Sequence, residues 1–234
     1  MAIITIARQY GSGGRFVGQE VARLLRADYV DKEIIRLAAQ RAGVAEEVVA
    51  QRDERPITRG ERIARMIQTF LESSAATGSA GDPFLGTTGA DILLSRTYGE
   101  STTPSPDVDD KRYFELISGV IKDLAQTGNI VILGRGGNMI LKDVPRVLRA
   151  LVIAPFEIRL RRVMEREHLN ATEATKLINQ MDANRAAFTK QFFKVERTDP
   201  LNYDLVLNTA KYSFELAARL ITDVARDLEA SWNS

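Results

Sequence analysis

Ile3-Ile4-Thr5-Ile6-Ala7-Arg8-Gln9-Tyr10-Gly11-Ser12-Gly13-Gly14-Arg15-Phe16 is the stretch that decides the fold. Residues 2–7 form an apolar, β-branched run that reads as a short buried strand stopped by a glycine cluster. From residue 14 to residue 26, Phe16, Val17, Val21, Leu24 and Leu25 recur at helical spacing. A strand, a glycine-rich turn and a helix start make an anion cradle. The glycines let backbone N–H groups turn inward, and the helix N-terminus adds partial positive charge. Set against the phosphate loop G-x-x-x-x-G-K-[ST] with Gly14 as the second glycine, the stretch puts Gln9 at the first glycine, Arg15 at the lysine and Phe16 at the Ser/Thr. An arginine serves as a phosphate partner through its planar fork, whereas Phe16 cannot coordinate magnesium. A metal would then be held through water, by a carboxylate such as Asp31 or Asp182, or by a substrate's own phosphates. The expected phosphate cradle is Gly11, Ser12, Gly13, Gly14 and Arg15. A glycine-rich β–α turn without a ligand is the competing reading of the pattern alone.

Outward from this stretch, residues 29–30 read as a second strand. Asp31 is placed to cap a helix with Ile34, Ile35, Leu37 and Ala38 on its apolar side. Helical spacing returns over residues 59–71. Residues 73–107 are rich in Ser, Thr, Gly and Pro and read as a long mobile loop, or one that orders on binding. Tyr113, Leu116, Ile117, Val120, Ile121 and Leu124 then make a helical stripe. Residues 129–133 and 147–153 read as strands. Helices follow over residues 156–167 and 170–188, the second opened by an Asn170/Glu173 capping box. A last strand over 203–207 and a last helix over 212–228 complete the order. Strands separated by helices predict an α/β fold, a three-layer parallel β-sheet with helices on both faces. Ligands in such folds bind beyond the carboxyl ends of the strands.

Composition narrows the function. A chain of 234 residues, 44% hydrophobic and 27% charged, suffices for one domain with a real core. A net charge of +1 argues against a uniformly basic nucleic-acid-coating surface, so an anion site must come from local placement of arginines. With no cysteine, disulfides, thiolate zinc sites and cysteine nucleophiles are excluded. The apolar start lacks a basic leader and a small-residue cleavage site, and no apolar stretch approaches the roughly 20 residues of a membrane span. The expectation is a cytoplasmic protein with no nucleic-acid or membrane partner; a homodimer is left open.

The second half is rich in arginine. Arg159, Arg162 and Arg166 recur on one helical face, with Arg161 beside them. Asp182 and Arg185, three apart, share a face of the next helix. Phosphoryl transfer needs several cations converging on the transferred group, and two such helices can direct them into one cleft. A solvated charged helix paired through Glu157, Glu165 and Glu167 is the competing reading. Gly134-Arg135-Gly136-Gly137 follows a buried strand and sets an arginine where it can reach a phosphate or a base; an exposed turn arginine is the alternative. His168, the only histidine, supports no catalytic triad or metal cluster and reads as a helix C-terminal residue.

As a set, these residues resemble the cytidylate kinase family, and more closely its divergent cytidylate-kinase-like branch, over nearly the whole chain. The opening glycine loop resembles that branch's phosphate loop, which also lacks the usual lysine. Residues 29–31 resemble the stretch before the monophosphate-binding helix. Gly134-Arg135 is similar to a Gly-Arg-Asp element, with Gly136 at the aspartate. Residues 154–162 resemble Ala-Ser-x-Glu-x-Arg-x-x-Arg, matching at Glu157, Arg159 and Arg162. Asp182 and Arg185 match the end of Arg-Asp-x-x-Asp-x-x-Arg, whose first pair is Ile178 and Asn179 here. Residues 203–209 look like the last strand, leading toward the adenine side.

The resemblance implies one P-loop kinase-like domain over residues 1–234. In it, residues 40–110 form a helical acceptor-side insertion containing the mobile loop 73–107, and residues 155–195 form a helical lid. It further implies a nucleoside monophosphate kinase using ATP and Mg2+ to phosphorylate cytidine or deoxycytidine monophosphate, with small-molecule nucleotides as its partners. The glycine loop and Arg15 would hold the donor phosphates, Arg159 and Arg162 would belong to the lid, and Arg15, Arg159, Arg162 and Arg185 would be the catalytic cations. Asp31, Arg135, Asp182 and Arg185 would hold the acceptor, Asp182 through sugar hydroxyls. Two alternatives stand beside this: a nucleotide-binding sensor without turnover, and an ATP-dependent kinase of another small metabolite.

Overall fold

The computed structural model describes residues 2–31, 37 and 106–232. The helix expected over 59–71 and the insertion as far as residue 105 lie outside the described residues. So does the helix that Asp31 is placed to cap, apart from Leu37, which is helical.

Five strands form one parallel sheet in the order β2-β3-β1-β4-β5. They are β1 (Ile3–Arg8), β2 (Asp28–Val30), β3 (Ile130–Leu133), β4 (Val147–Ile153) and β5 (Leu205–Asn208). β1 sits at the centre, with Ile4 opposite Val131 on one side and Leu148 on the other. Central parallel strands are covered on both faces, which is why β3 reads Ile-Val-Ile-Leu with every residue buried.

Among the described residues, six helices flank the sheet: α1 (Gly14–Leu25), α2 (Pro106–Gln126), α3 (Gly137–Ile140), α4 (Phe156–Glu167), α5 (Ala171–Phe193) and α6 (Phe214–Trp232). Val17 and Val21 of α1 join Ala217, Ala218 and Ile221 of α6 over one face of β1 and β4. Ile117, Val120 and Ile121 of α2 cover Ile130, Ile132 and Ile3 on the other. α4 and α5 make an antiparallel pair with a small core of its own, Val163, Ala174 and Ile178. Asn170 and Glu173 close the expected capping box. His168 is the α4 C-cap, in the left-handed conformation.

Some boundaries differ from the sequence reading. α2 already begins at Pro106, so the last two residues of the expected 73–107 loop are helical; proline is tolerated in a first turn, where its missing N–H is not needed. α5 runs five residues past 188 because Phe188, Phe192 and Phe193 pack around Phe114 of α2, with Phe114 and Phe192 stacked at 4.6 Å. β5 starts two residues later than expected: Tyr203 closes a 3-10 turn over Pro200–Asn202. α6 starts at Phe214, where the Ser213 hydroxyl accepts from Leu216 N–H. The short helix α3 has no sequence signal beyond its glycines.

Candidate functional site

The glycine loop lies between the end of β1 and the start of α1. Gly13 is the left-handed residue before the helix (φ 84°), and the Phe214 ring lies where its side chain would stand. Any other residue there meets both a backbone penalty and a collision. The last loop glycine is therefore Gly13, and Gly14 is already the first residue of α1. In that frame Gly14 falls on the lysine position of the phosphate-loop pattern, and Arg15 lies one residue further along the helix than the sequence reading put it.

The loop is strapped to the sheet ends. Ser12 is fully buried; its hydroxyl donates to the Gln9 carbonyl at 2.9 Å, and its own carbonyl accepts from Thr209 Oγ1 at 2.7 Å. The Gln9 side-chain oxygen accepts from Ala154 N–H at 3.1 Å. Behind the loop, Arg159 Nη1 donates to Asp182 Oδ2 at 2.6 Å and to the Tyr10 carbonyl at 3.0 Å, while Asp182 Oδ1 accepts from Tyr10 N–H at 2.9 Å. Arg159 is 7% exposed. Arg162 donates to Thr209 Oγ1 and to the Thr209 carbonyl, at 2.9 and 2.8 Å, and its guanidinium covers the Phe214 ring. Three of the residues singled out from sequence, Arg159, Arg162 and Asp182, thus grip the loop from outside the cavity.

In front of the loop, at the carboxyl ends of the central strands, lies a cavity of about 630 Å3. Among the described residues, six arginines line it, Arg8, Arg15, Arg135, Arg166, Arg185 and Arg197, and two acids, Asp31 and Glu167. Arg15 contacts Asp31 at 3.1 Å and Arg8 approaches the same carboxylate at 3.7 Å. Arg185 and Arg197 both donate to the Arg8 carbonyl. Arg166 and Arg185 flank the Tyr10 ring at 5.2 and 5.5 Å, and Tyr10 donates to Glu167 at 3.1 Å. The Arg166 side chain holds Glu167 below the usual carboxylate range.

This crowding has an electrostatic signature. Burial first, and the positive charge of Arg8 second, lower Arg135 to about 9. Burial, then Arg8 and Arg197, lower Arg185 to about 9. Arg8 and Arg197 are also lowered, chiefly by burial. Buried cations held together with fewer acids favour an incoming polyanion, which replaces lost hydration and screens their repulsion. Arg135 is left-handed at φ 57°, an arrangement disfavoured by roughly 1–2 kcal/mol for a non-glycine residue. Among the described residues, no three His, Cys, Asp or Glu come together as a metal cluster.

Two departures from the resembled motifs have physical causes. Gly136 is left-handed (φ 71°), and a Cβ there would sit 2.9 Å from Phe193, so no aspartate is accommodated. Ile178 is 1% exposed in the α4–α5 core, a place unsuited to the arginine of the motif. Of the cavity guanidinia, Arg8 and Arg197 were not singled out from the sequence. Arg8 was visible at the end of the β1 run; Arg197 lies in an irregular turn beyond α5, where no periodicity marks it.

A model of the cytidylate kinase-like family matches residues 3–211. A cytidylate kinase of Methanocaldococcus jannaschii is 26% identical over 143 residues, 60% of this chain and 76% of that protein. One from Methanococcus vannielii is 29% identical over 154 residues, 56% of this chain and 88% of its own. Among solved structures, an uncharacterized protein from Eubacterium ventriosum aligns over 97% of this chain and 99% of its own with a TM-score of 0.60 at 18% identity, a likeness of fold. No helix among the described residues is long and apolar enough to cross a membrane.

Proposed function

The chain belongs to the cytidylate kinase-like family, and from that premise we propose that it transfers the γ-phosphoryl group of ATP to cytidine or deoxycytidine monophosphate. The observation that carries the reading is the cavity in front of the glycine loop, lined among the described residues by six arginines and two acids. Its volume of about 630 Å3 suits a small-molecule ligand.

In this reading the backbone N–H groups of Gly11, Gly13 and Gly14, at the start of α1, receive the donor phosphates. Arg15 reaches them from the mouth, and Arg135 and Arg185 hold the acceptor phosphate. An acceptor phosphate oxygen attacks the γ-phosphorus. A new O–P bond forms as the bond from the γ-phosphorus to the β,γ-bridging oxygen breaks, and ADP leaves with that electron pair. The guanidinia neutralise charge on the transferred group and cost no reorganisation, because they are already positioned. Arg159, Arg162 and Asp182 keep the loop in its receiving shape. A magnesium ion would arrive on the nucleotide, and Asp31, now paired with Arg15, is the cavity carboxylate that would face it. When bound, that ion would supply charge neutralisation to the triphosphate.

ADP formation in a coupled assay, run over a panel of nucleoside monophosphates, tests the proposal. Turnover that requires a pyrimidine monophosphate and magnesium supports it; no turnover with any member rejects it. A second reading, nucleotide binding without transfer, is favoured by Gly14 at the lysine position; it predicts a raised melting temperature with ATP and no ADP.

A further inference from the structure

The position that carries the lysine in a phosphate loop has no side chain here, being Gly14. We propose that Arg8, the last residue of β1, supplies the missing cation and binds the outer phosphates of a nucleoside triphosphate. The inference deepens the nucleotide-binding reading above and rests on it.

The two positions compete for one space. A Cβ on Gly14 would lie 2.5 Å from Arg8 Cβ and 3.0 Å from Arg8 Cγ. Real carbons do not approach that closely, so the Arg8 stem fills the volume where a lysine stem would start. Further out, the Arg8 guanidinium passes over Gly134, and Nη1 lies where a side chain on that glycine would begin. Gly134 is left-handed (φ 76°), so its lack of a side chain serves both the turn and the passage. A small residue at each end of the Arg8 side chain defines a track from β1 across the loop to the tip of β3.

The head of that track is in the cavity, facing Asp31 at 3.7 Å, a separation beyond hydrogen-bond length. Asp31 therefore steers the guanidinium without closing a hydrogen bond to it, and we place the phosphate on its N–H groups. The Arg8 carbonyl meanwhile accepts from Arg185 and Arg197, so one residue sets three of the cavity's cations. Arg15 differs in kind: its side chain is 55% exposed and approaches Asp31 from α1 at the mouth.

The test is calorimetric titration of the full chain with ATP and with AMP, each with magnesium. The variants are Arg8→Met, Arg8→Gly, Gly14→Lys and the double variant Arg8→Gly/Gly14→Lys, glycine being the residue that removes the 2.5 Å Cβ contact. Arg8→Met keeps most of the apolar stem and should weaken ATP roughly ten- to a hundredfold, the loss of one charge-assisted contact, with a smaller loss for AMP. Gly14→Lys alone should weaken ATP, because its stem collides with Arg8. The double variant should regain most of what Arg8→Gly loses, having moved the cation to the lysine position.

ATP affinity equal to wild type in Arg8→Met overturns the proposal. So does a double variant that melts like wild type yet binds ATP no better than Arg8→Gly. If the double variant does not fold, the ATP-against-AMP contrast in Arg8→Met decides. A wild-type chain that binds no nucleotide overturns the underlying reading as well; a wild-type chain that binds while Arg8→Met binds equally overturns this inference alone.

Discussion

Asp182→Ala tests whether the loop is held from behind. The carboxylate accepts from Tyr10 N–H at 2.9 Å and from Arg159 at 2.6 Å, and Arg185 lies 3.7 Å away. Its removal leaves Arg159, 7% exposed, bonded to two backbone carbonyls but without its counter-charge. Breaking a buried pair from one side costs about 3–5 kcal/mol. The Asp182 side chain is 24% exposed, so the lower end, about 3 kcal/mol, applies. A domain of this size shifts by roughly 2–4 °C per kcal/mol, which gives a fall of about 6–12 °C in melting temperature without nucleotide. Asp182→Asn loses the charge and keeps only one of the two acceptor oxygens, setting its amide NH2 against the remaining donor, so its fall should be comparable to that of Asp182→Ala. Adding Arg159→Met to Asp182→Ala should cost less than the sum of the singles, since both remove one link. Calorimetric melting of the nucleotide-free chain is the assay. A melting temperature within a degree of wild type, or above it, refutes the reasoning, because a residue kept only to bind a sugar would not be needed for the empty fold.

Three further outcomes are expected. Arg135 and Arg185 lie at about 9 in the folded chain, well below the ordinary arginine value, so the unfolded chain binds more protons from about pH 9 upward. Empty-chain stability from these two groups therefore rises with pH in that window. Affinity for polyphosphate falls there instead, because binding needs both groups charged; titrations with inorganic triphosphate at pH 7 and pH 10 should show the loss. Ile178→Arg restores the side chain of the resembled motif but buries an unpaired charge, and should lower stability by about 3 kcal/mol or more, read by denaturant unfolding. Arg15→Ala should weaken ATP only several-fold, since water screens a half-exposed cation, and direct titration measures it.

Much of the fold was legible because its signals are local. The apolar run before Gly11, the helical stripe from Tyr113 to Leu124 and the Asn170/Glu173 box each specify an element within a few residues. Boundaries decided by partners elsewhere in the chain were not legible. α5 continues to Phe193 because Phe114, on α2, packs against its end. The arginines of α4 and α5 could be recognised as a cluster from their spacing. Which of them face the cavity could not, because spacing along α4 does not reveal that Arg159 points to Tyr10 and Arg166 to the Tyr10 ring. The phosphate-loop register was ambiguous for a similar reason: two adjacent glycines, 13 and 14, fit the pattern, and only the left-handed backbone of Gly13 distinguishes them.

The measurement closest to the central claim is phosphorus NMR of the protein with ATP, magnesium and cytidine monophosphate. The γ-phosphate resonance of ATP should decline while the two resonances of cytidine diphosphate grow in step with those of ADP. A spectrum that stays unchanged, or one in which only ADP and free phosphate accumulate, contradicts it.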